Sequence, residues 1–190
     1  MKVFWNFLLL RDLKMNQILK NNLTKIISLS AINKRLVEIA NDINNRYYSK
    51  SPLFIGVLNG SFIFLADLVR CLNIDVEISF IKARSYNGKQ KSDTIKFDFF
   101  DFDNIKGKDI IIIEDIVDTG DTVCKIRNKM INKANSVAIA AFLSKPNKAK
   151  LNFEIDWVGF EIPDEFVVGY GLDYNQKFRN LKGIYQGLEI

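Results

Sequence analysis

A chain of 190 residues that is 48% hydrophobic fits one globular domain with a sizeable core, and a net charge of +5 is too mild to require a nucleic-acid partner. The absence of histidine removes serine- and cysteine-histidine nucleophile systems, histidine-ligated zinc and imidazole acid-base chemistry together. Cys71 and Cys124 form neither a CxxC pair nor a cysteine ladder, so a disulfide framework and a zinc site are unsupported and a reducing, cytoplasmic setting is expected.

The opening MKVFWNFLLLRDLKM holds an apolar run of about eight residues, interrupted by Asn6 and followed by Arg11, Asp12 and Lys14 instead of a small-residue cleavage site. It reads as a poorly packed extension and lead-in over residues 1 to 29, with Met15 as an alternative start. One domain over residues 30 to 190 follows. No stretch reaches the roughly 18 uninterrupted apolar residues of a membrane span.

Ile32, Leu36, Ile39, Ile43 and Tyr47 recur at helical spacing, with Ser30 placed to cap the first turn. An apolar strand over residues 53 to 58 is closed by Asn59-Gly60, and residues 62 to 72 return to helical pattern. Strand, tight turn and helix together are the mark of a βαβ unit. Val76, Ile78 and Phe80 alternate as in a strand, the polar stretch from 82 to 93 is the longest loop and the natural lid, and TIKFDFF resumes as a strand.

Four consecutive isoleucines, residues 110 to 113, and the apolar run from 137 to 143 read as central parallel strands covered on both faces. Joined through helix-length connections, such strands imply a right-handed α/β sheet flanked by helices, with ligands at the strands' carboxyl ends. The last third, from Phe153, is broken by Pro163 and several glycines and reads as a small cap on the same domain.

Directly after the isoleucine strand come Glu114, Asp115, Asp118, Thr119, Gly120, Asp121 and Thr122, then a helical segment. Thr-Gly-Asp-Thr can wrap an anion, because glycine lets the backbone approach closely and the next helix offers unpaired N–H groups at its positive end. Glu114 and Asp115 are hard oxygen acceptors suited to ribose hydroxyls or to magnesium with its water shell. An acidic turn after a strand is common; two carboxylates, a third, and a Thr-Gly-x-Thr cradle behind a buried strand are not. Neither GxxxxGK[ST] nor GxGxxG occurs, so ATPase and dinucleotide readings lose their support.

The segment IIIIEDIVDTGDT, residues 110 to 122, resembles the phosphoribosyl-pyrophosphate signature of type I phosphoribosyltransferases: an apolar strand, two acids and a DTG-x-T loop. VLNGSFIFLADLV at 57 to 69, SYNG at 85 to 88, LSKP at 143 to 146 and FEIPDEFVVGYGLDYNQKFRNL at 160 to 181 are similar to hypoxanthine-guanine phosphoribosyltransferases. In order and spacing these pieces cover residues 30 to 185. The aspartate just before Thr-Gly favours this 6-oxopurine branch, since enzymes acting on adenine, uracil or orotate usually lack it.

The resemblance implies a parallel-sheet fold with a hood over the strand ends, magnesium-dependent phosphoribosyl transfer to hypoxanthine or guanine in purine salvage, and a homo-oligomer, dimer or tetramer. It implies that Asp118 is the general base near N7 and that Lys145 donates to O6. Phe166 stacks on the purine and the main chain of Val167 reads its edge. Phosphoribosyl pyrophosphate is held by Glu114, Asp115, Asp118, Thr119, Gly120, Asp121 and Thr122, together with Asn59, Gly60 and Arg179. Glu114 and Asp115 bind magnesium, with Asp173 reaching a second ion through water, and Ser85 and Tyr86 form the tip of the closing loop. From the residues alone Lys145 reads as a surface lysine, and Phe166 and Val167 as core. Two positions depart from part of the family: Asn59 stands where animal and protozoal members often carry Lys, and Asp121 where some have Lys. The alternative is a nucleic-acid-binding regulator of the same fold that senses phosphoribosyl pyrophosphate, but a regulator need not retain Lys145, Phe166, Asp173 and Arg179 together.

Overall fold

The structure is a computed structural model and describes residues 23–85, 95–98 and 100–187. Six strands form the main sheet in the order β4-β3-β2-β5-β6-β7, where β2 is Leu53–Leu58, β3 Glu77–Ser85, β4 Ile95–Asp98, β5 Asp109–Val117, β6 Ser136–Ser144 and β7 Trp157–Glu161. All pair in parallel except β4, which runs antiparallel to β3 at the edge. Helices α1 (Leu29–Arg46) and α2 (Phe62–Val69) cover one face, and α3 (Asp121–Met130) the other. Within β5, Ile111 and Ile113 pack toward α1 and α2 while Ile110 and Ile112 pack toward α3, as the two-residue side-chain period requires. A run of isoleucines is therefore what a strand sandwiched between two helical layers needs.

Several boundaries differ from the sequence reading. Ser28, not Ser30, caps α1: its backbone is extended and its Oγ accepts the Ala31 N–H at 3.2 Å, placing Ser30 inside the first turn. Residues 24 to 27 are not a loose lead-in. They form β1 (Thr24–Ile27), which pairs antiparallel with β9 (Ile184–Gln186), which in turn pairs with β8 (Val167–Val168). This three-stranded sheet is the hood, built from both ends of the domain. The last third is thus only partly a cap, because β7 belongs to the main sheet. The polar stretch assigned to a lid is also shorter than expected, since Lys82 to Ser85 continue β3 and pair with β4 from Asp98 to Ile95. Among the described residues no helix is long and apolar enough to cross a membrane.

Candidate active site

β5 runs past its isoleucines to Val117, so Glu114 and Asp115 lie within the strand instead of after it. Pairing with β6 explains this: Glu114 lies opposite Ala141, Ile116 opposite Leu143 and Val117 opposite Ser144, and the ladder continues regardless of side-chain charge. Side-chain alternation slips across the two acids, for Ile116 joins the α1–α2 layer and Val117 the α3 layer. Glu114 is buried and Asp115 half-buried. Loss of water, followed by the adjacent charge of Asp115, pushes the Glu114 carboxyl well above the usual range, and Oε2 of Glu114 has no hydrogen-bond partner. Burial likewise raises Asp115, against the hydrogen bonds it receives and the opposing charge of Arg179.

Two adjacent carboxylates, one of them buried with an unpaired oxygen, suit a hard cation or sugar hydroxyls. Among the described residues no three acidic, cysteine or histidine side chains form a cage. Removing the charge should stabilise the ligand-free protein. The folded pKa of Glu114 stands above its unfolded value, so its contribution to stability is full at low pH and is lost as pH rises through the folded value. Glu114→Gln is therefore expected to raise unfolding stability at pH 7 by about 1 kcal/mol or more and to abolish that pH dependence. Urea unfolding at two pH values checks this, and an unchanged or lower midpoint at pH 7 contradicts it.

Asp118 follows the strand, and Thr119, Gly120, Asp121 and Thr122 then wrap into α3. Gly120 caps the helix with φ of +91°, and a Cβ there would lie 2.5 Å from Leu151 Cδ2. Thr119 O accepts the Lys150 N–H at 2.9 Å, tying the loop to the segment after β6. The carboxylate of Asp121 is turned aside onto Thr119 Oγ1, 3.0 Å away, and is exposed in the first helical turn, where the helix end favours a negative charge. Together with Glu114, these residues line one open pocket.

Asn59 and Gly60 follow β2 after a cis peptide bond between Leu58 and Asn59. Gly60 lies against Asp115, since a Cβ on it would fall 1.5 Å from Asp115 Oδ2. Gly171, which the motif reading passed over, packs against Gly60 in turn: its φ is +103° and a Cβ would meet Gly60 O at 2.1 Å. Gly171→Ala is expected to cost about 1–3 kcal/mol in urea unfolding, through left-handed strain and a backbone collision. Stability within a few tenths of wild type would contradict that. Arg179 sits beside this contact. It donates to Gly171 O at 2.7 Å and to Gln176 Oε1 at 3.0 Å and pairs with Asp173 Oδ1 at 2.7 Å.

Lys145 is not a surface lysine: it is 8% exposed, and its Nζ lies 3.0 Å from Asp118 Oδ1. Phe166 departs from the core reading in the opposite sense, being 42% exposed with its ring edge-on to Tyr174 at 5.9 Å, while Val167 is buried in β8. Burial pushes the Asp118 carboxyl up, but hydrogen bonds from Lys145 and Lys148 outweigh it and leave the pKa below the ordinary value. The structure thus brings two groups together, Asp118 with Lys145, and Glu114 and Asp115 with Gly60 and Arg179. Ser85 ends β3, and Tyr86 lies outside the described residues. Lys148 and Asp164 contact the first group; Asp164 lies in the segment FEIPDEFVVGYGLDYNQKFRNL without a role assigned to it there, and Lys148 lies in no quoted segment.

A parallel sheet with an acidic strand end, an anion-wrapping turn and an antiparallel hood defines the class: this is a type I phosphoribosyltransferase fold. The phosphoribosyl transferase domain model matches residues 23–175. The hypoxanthine phosphoribosyltransferase of Haemophilus influenzae is 40% identical over 167 residues, covering 85% of this chain and 93% of that protein. The hypoxanthine-guanine phosphoribosyltransferase of Bacillus subtilis is 40% identical over 86% of this chain and 92% of its own. A crystal structure of a Staphylococcus aureus hypoxanthine phosphoribosyltransferase aligns with a TM-score of 0.83 at 35% identity, covering 90% of this chain and 95% of that one. The chain belongs to the phosphoribosyltransferase domain family, on its hypoxanthine-guanine branch.

Proposed function

We propose that this protein is a purine-salvage enzyme that transfers the 5-phosphoribosyl group from phosphoribosyl pyrophosphate to N9 of hypoxanthine or guanine, giving the nucleoside monophosphate and pyrophosphate. The single observation that carries the reading is the buried Lys145 ammonium paired with Asp118 at the mouth of the anion loop. An ammonium donates only, which suits the O6 acceptor of a 6-oxopurine and leaves the amino group of adenine unmatched. A carboxylate beside it, kept ionised at neutral pH, can accept the proton that the purine loses as the glycosidic bond forms.

The remaining residues follow from the same geometry. Thr119 to Thr122 and the start of α3 receive the 5-phosphate through backbone N–H groups. Arg179, fixed by Asp173, Gln176 and Gly171, presents a guanidinium shaped for paired phosphate oxygens, and Asn59 and Gly60 offer backbone beside it. Glu114 and Asp115 would hold magnesium and the ribose hydroxyls, with Asp173 reaching a second ion through water. Bound there, magnesium neutralises pyrophosphate charge and so assists its departure. The C1–O bond to pyrophosphate breaks ahead of C1–N9 bond formation, and the acidic floor favours the positive charge that develops on the sugar. Phe166 supplies an exposed ring on which the base stacks, with Val167 main chain at its edge. Free Cys71 and Cys124 suit a reducing cytoplasmic setting.

Pyrophosphate release tests the reading. Adding hypoxanthine or guanine to the protein with phosphoribosyl pyrophosphate and magnesium is expected to start release, and a chelator to stop it. Release that ignores both the base and the chelator would refute it.

A further inference from the structure

Lys148 and Asp164 complete a square of four charges with the Asp118–Lys145 pair. Lys145 Nζ lies 3.0 Å from Asp118 Oδ1 and 3.1 Å from Asp164 Oδ1, while Lys148 Nζ lies 3.1 Å and 3.0 Å from the same two oxygens. Each ammonium therefore bridges both carboxylates. Backbone bonds tie the supports of the square together: Lys145 N donates to Val117 O at 3.0 Å, Lys148 N to Lys145 O at 3.0 Å, and Ile162 N to Ser144 O at 2.9 Å. These bonds hold together the ends of β5, β6 and β7, from which the four side chains emerge.

We infer that Lys148 and Asp164 are positioning residues that fix the aim of Lys145 and balance the charge around Asp118. The inference rests on the transfer reading above for its catalytic consequence. An ammonium has three N–H donors. Lys145 Nζ donates one to Asp164 and stays within ion-pair distance of Asp118, which leaves a donor for a carbonyl oxygen of the base. Lys145 alone facing two carboxylates would leave one negative charge in excess, and Lys148 cancels it. Without Lys148 the cluster carries an excess negative charge and Asp118 keeps its proton to higher pH. Without the charge of Asp164 the cluster carries an excess positive one, Asp118 ionises at lower pH, and Lys145 loses one of its two anchors. Glu114 and Asp121 line the same pocket, and Lys150 reaches Thr119 through its backbone. These groups are common to both variants, so the opposite signs isolate the square.

The test is a titration of the Asp118 carboxyl carbon by 13C NMR in the full chain, its resonance assigned with Asp118→Asn. Wild type, Lys148→Met, Lys148→Arg and Asp164→Asn are compared, with thermal unfolding to show that each is folded. The titration midpoint is expected to move up in Lys148→Met and down in Asp164→Asn, by about half a pH unit each for rim groups screened by solvent, and to return in Lys148→Arg. KM for hypoxanthine should rise in Asp164→Asn by about threefold or more, while KM for phosphoribosyl pyrophosphate stays within twofold. Midpoints that stay put, or that move in the same direction in both variants, overturn the inference. Opposite shifts with an unmoved acid limb in kcat/KM uphold the charge balance and instead remove Asp118 as the base, so the two readings fail separately.

Discussion

Asp118→Asn lowers kcat with hypoxanthine at least tenfold, and by up to about ten-thousandfold, the span typical of positioned proton transfer. The reason is local. The amide keeps the size and hydrogen-bonding shape of the carboxylate but cannot accept a proton, and Lys145 and Lys148 retain Asp164 as their partner. In the proposed arrangement Thr119 to Thr122, Glu114, Asp115 and Arg179 carry most of the hold on phosphoribosyl pyrophosphate, so its dissociation constant should change less than threefold. Single-turnover kinetics with calorimetric binding separates the two effects. Unchanged turnover would remove Asp118 as the base, and loss of binding in step with turnover would make it a phosphoribosyl-pyrophosphate ligand instead.

Lys145→Met lowers kcat/KM for hypoxanthine by about tenfold to a hundredfold, the worth of a hydrogen bond from a charged donor, and narrows the gap to adenine. Methionine fills most of the aliphatic volume of a side chain that is only 8% exposed, so the loss reports the ammonium more than a cavity. Removing that charge also raises the Asp118 pKa, and the comparison is therefore made on the pH plateau above the acid limb. An unaltered ratio of hypoxanthine to adenine turnover would show that the base is selected elsewhere.

Much of this site could be read from residues 110 to 122 because its chemistry is local. A buried strand, two acids and an anion-wrapping turn are consecutive in the chain, and the isoleucine run discloses a strand covered on both faces. What stayed hidden depends on contacts between distant segments. β5 extends through Glu114 and Asp115 because β6 continues beside it, and no propensity places two acids inside a strand. The packing of Gly171 on Gly60 joins the turn after β2 to the turn after β8, and neither glycine announces its partner. Lys145 and Phe166 exchanged the environments their chemistry suggests, the lysine buried by two carboxylates and the aromatic left exposed. Lys148 and Asp164 stand 16 residues apart in the chain and meet only because parallel strands bring their ends together. Ser28 and Ser30 both suit a helix start, and backbone geometry alone separates them. β1 pairs with β9 across nearly the whole chain, a pairing that no local pattern encodes.

If the paired Lys145 and Asp118 select a 6-oxopurine, product formation across a panel of bases will show it. Purified protein with phosphoribosyl pyrophosphate and magnesium is given hypoxanthine, guanine, xanthine, adenine or uracil, and nucleoside monophosphate is measured. Hypoxanthine or guanine is expected to be converted, and adenine and uracil are not. Equal conversion of adenine, or no conversion of any base by folded protein, would contradict it, and the latter together with tight binding to a specific RNA would point to the regulator instead.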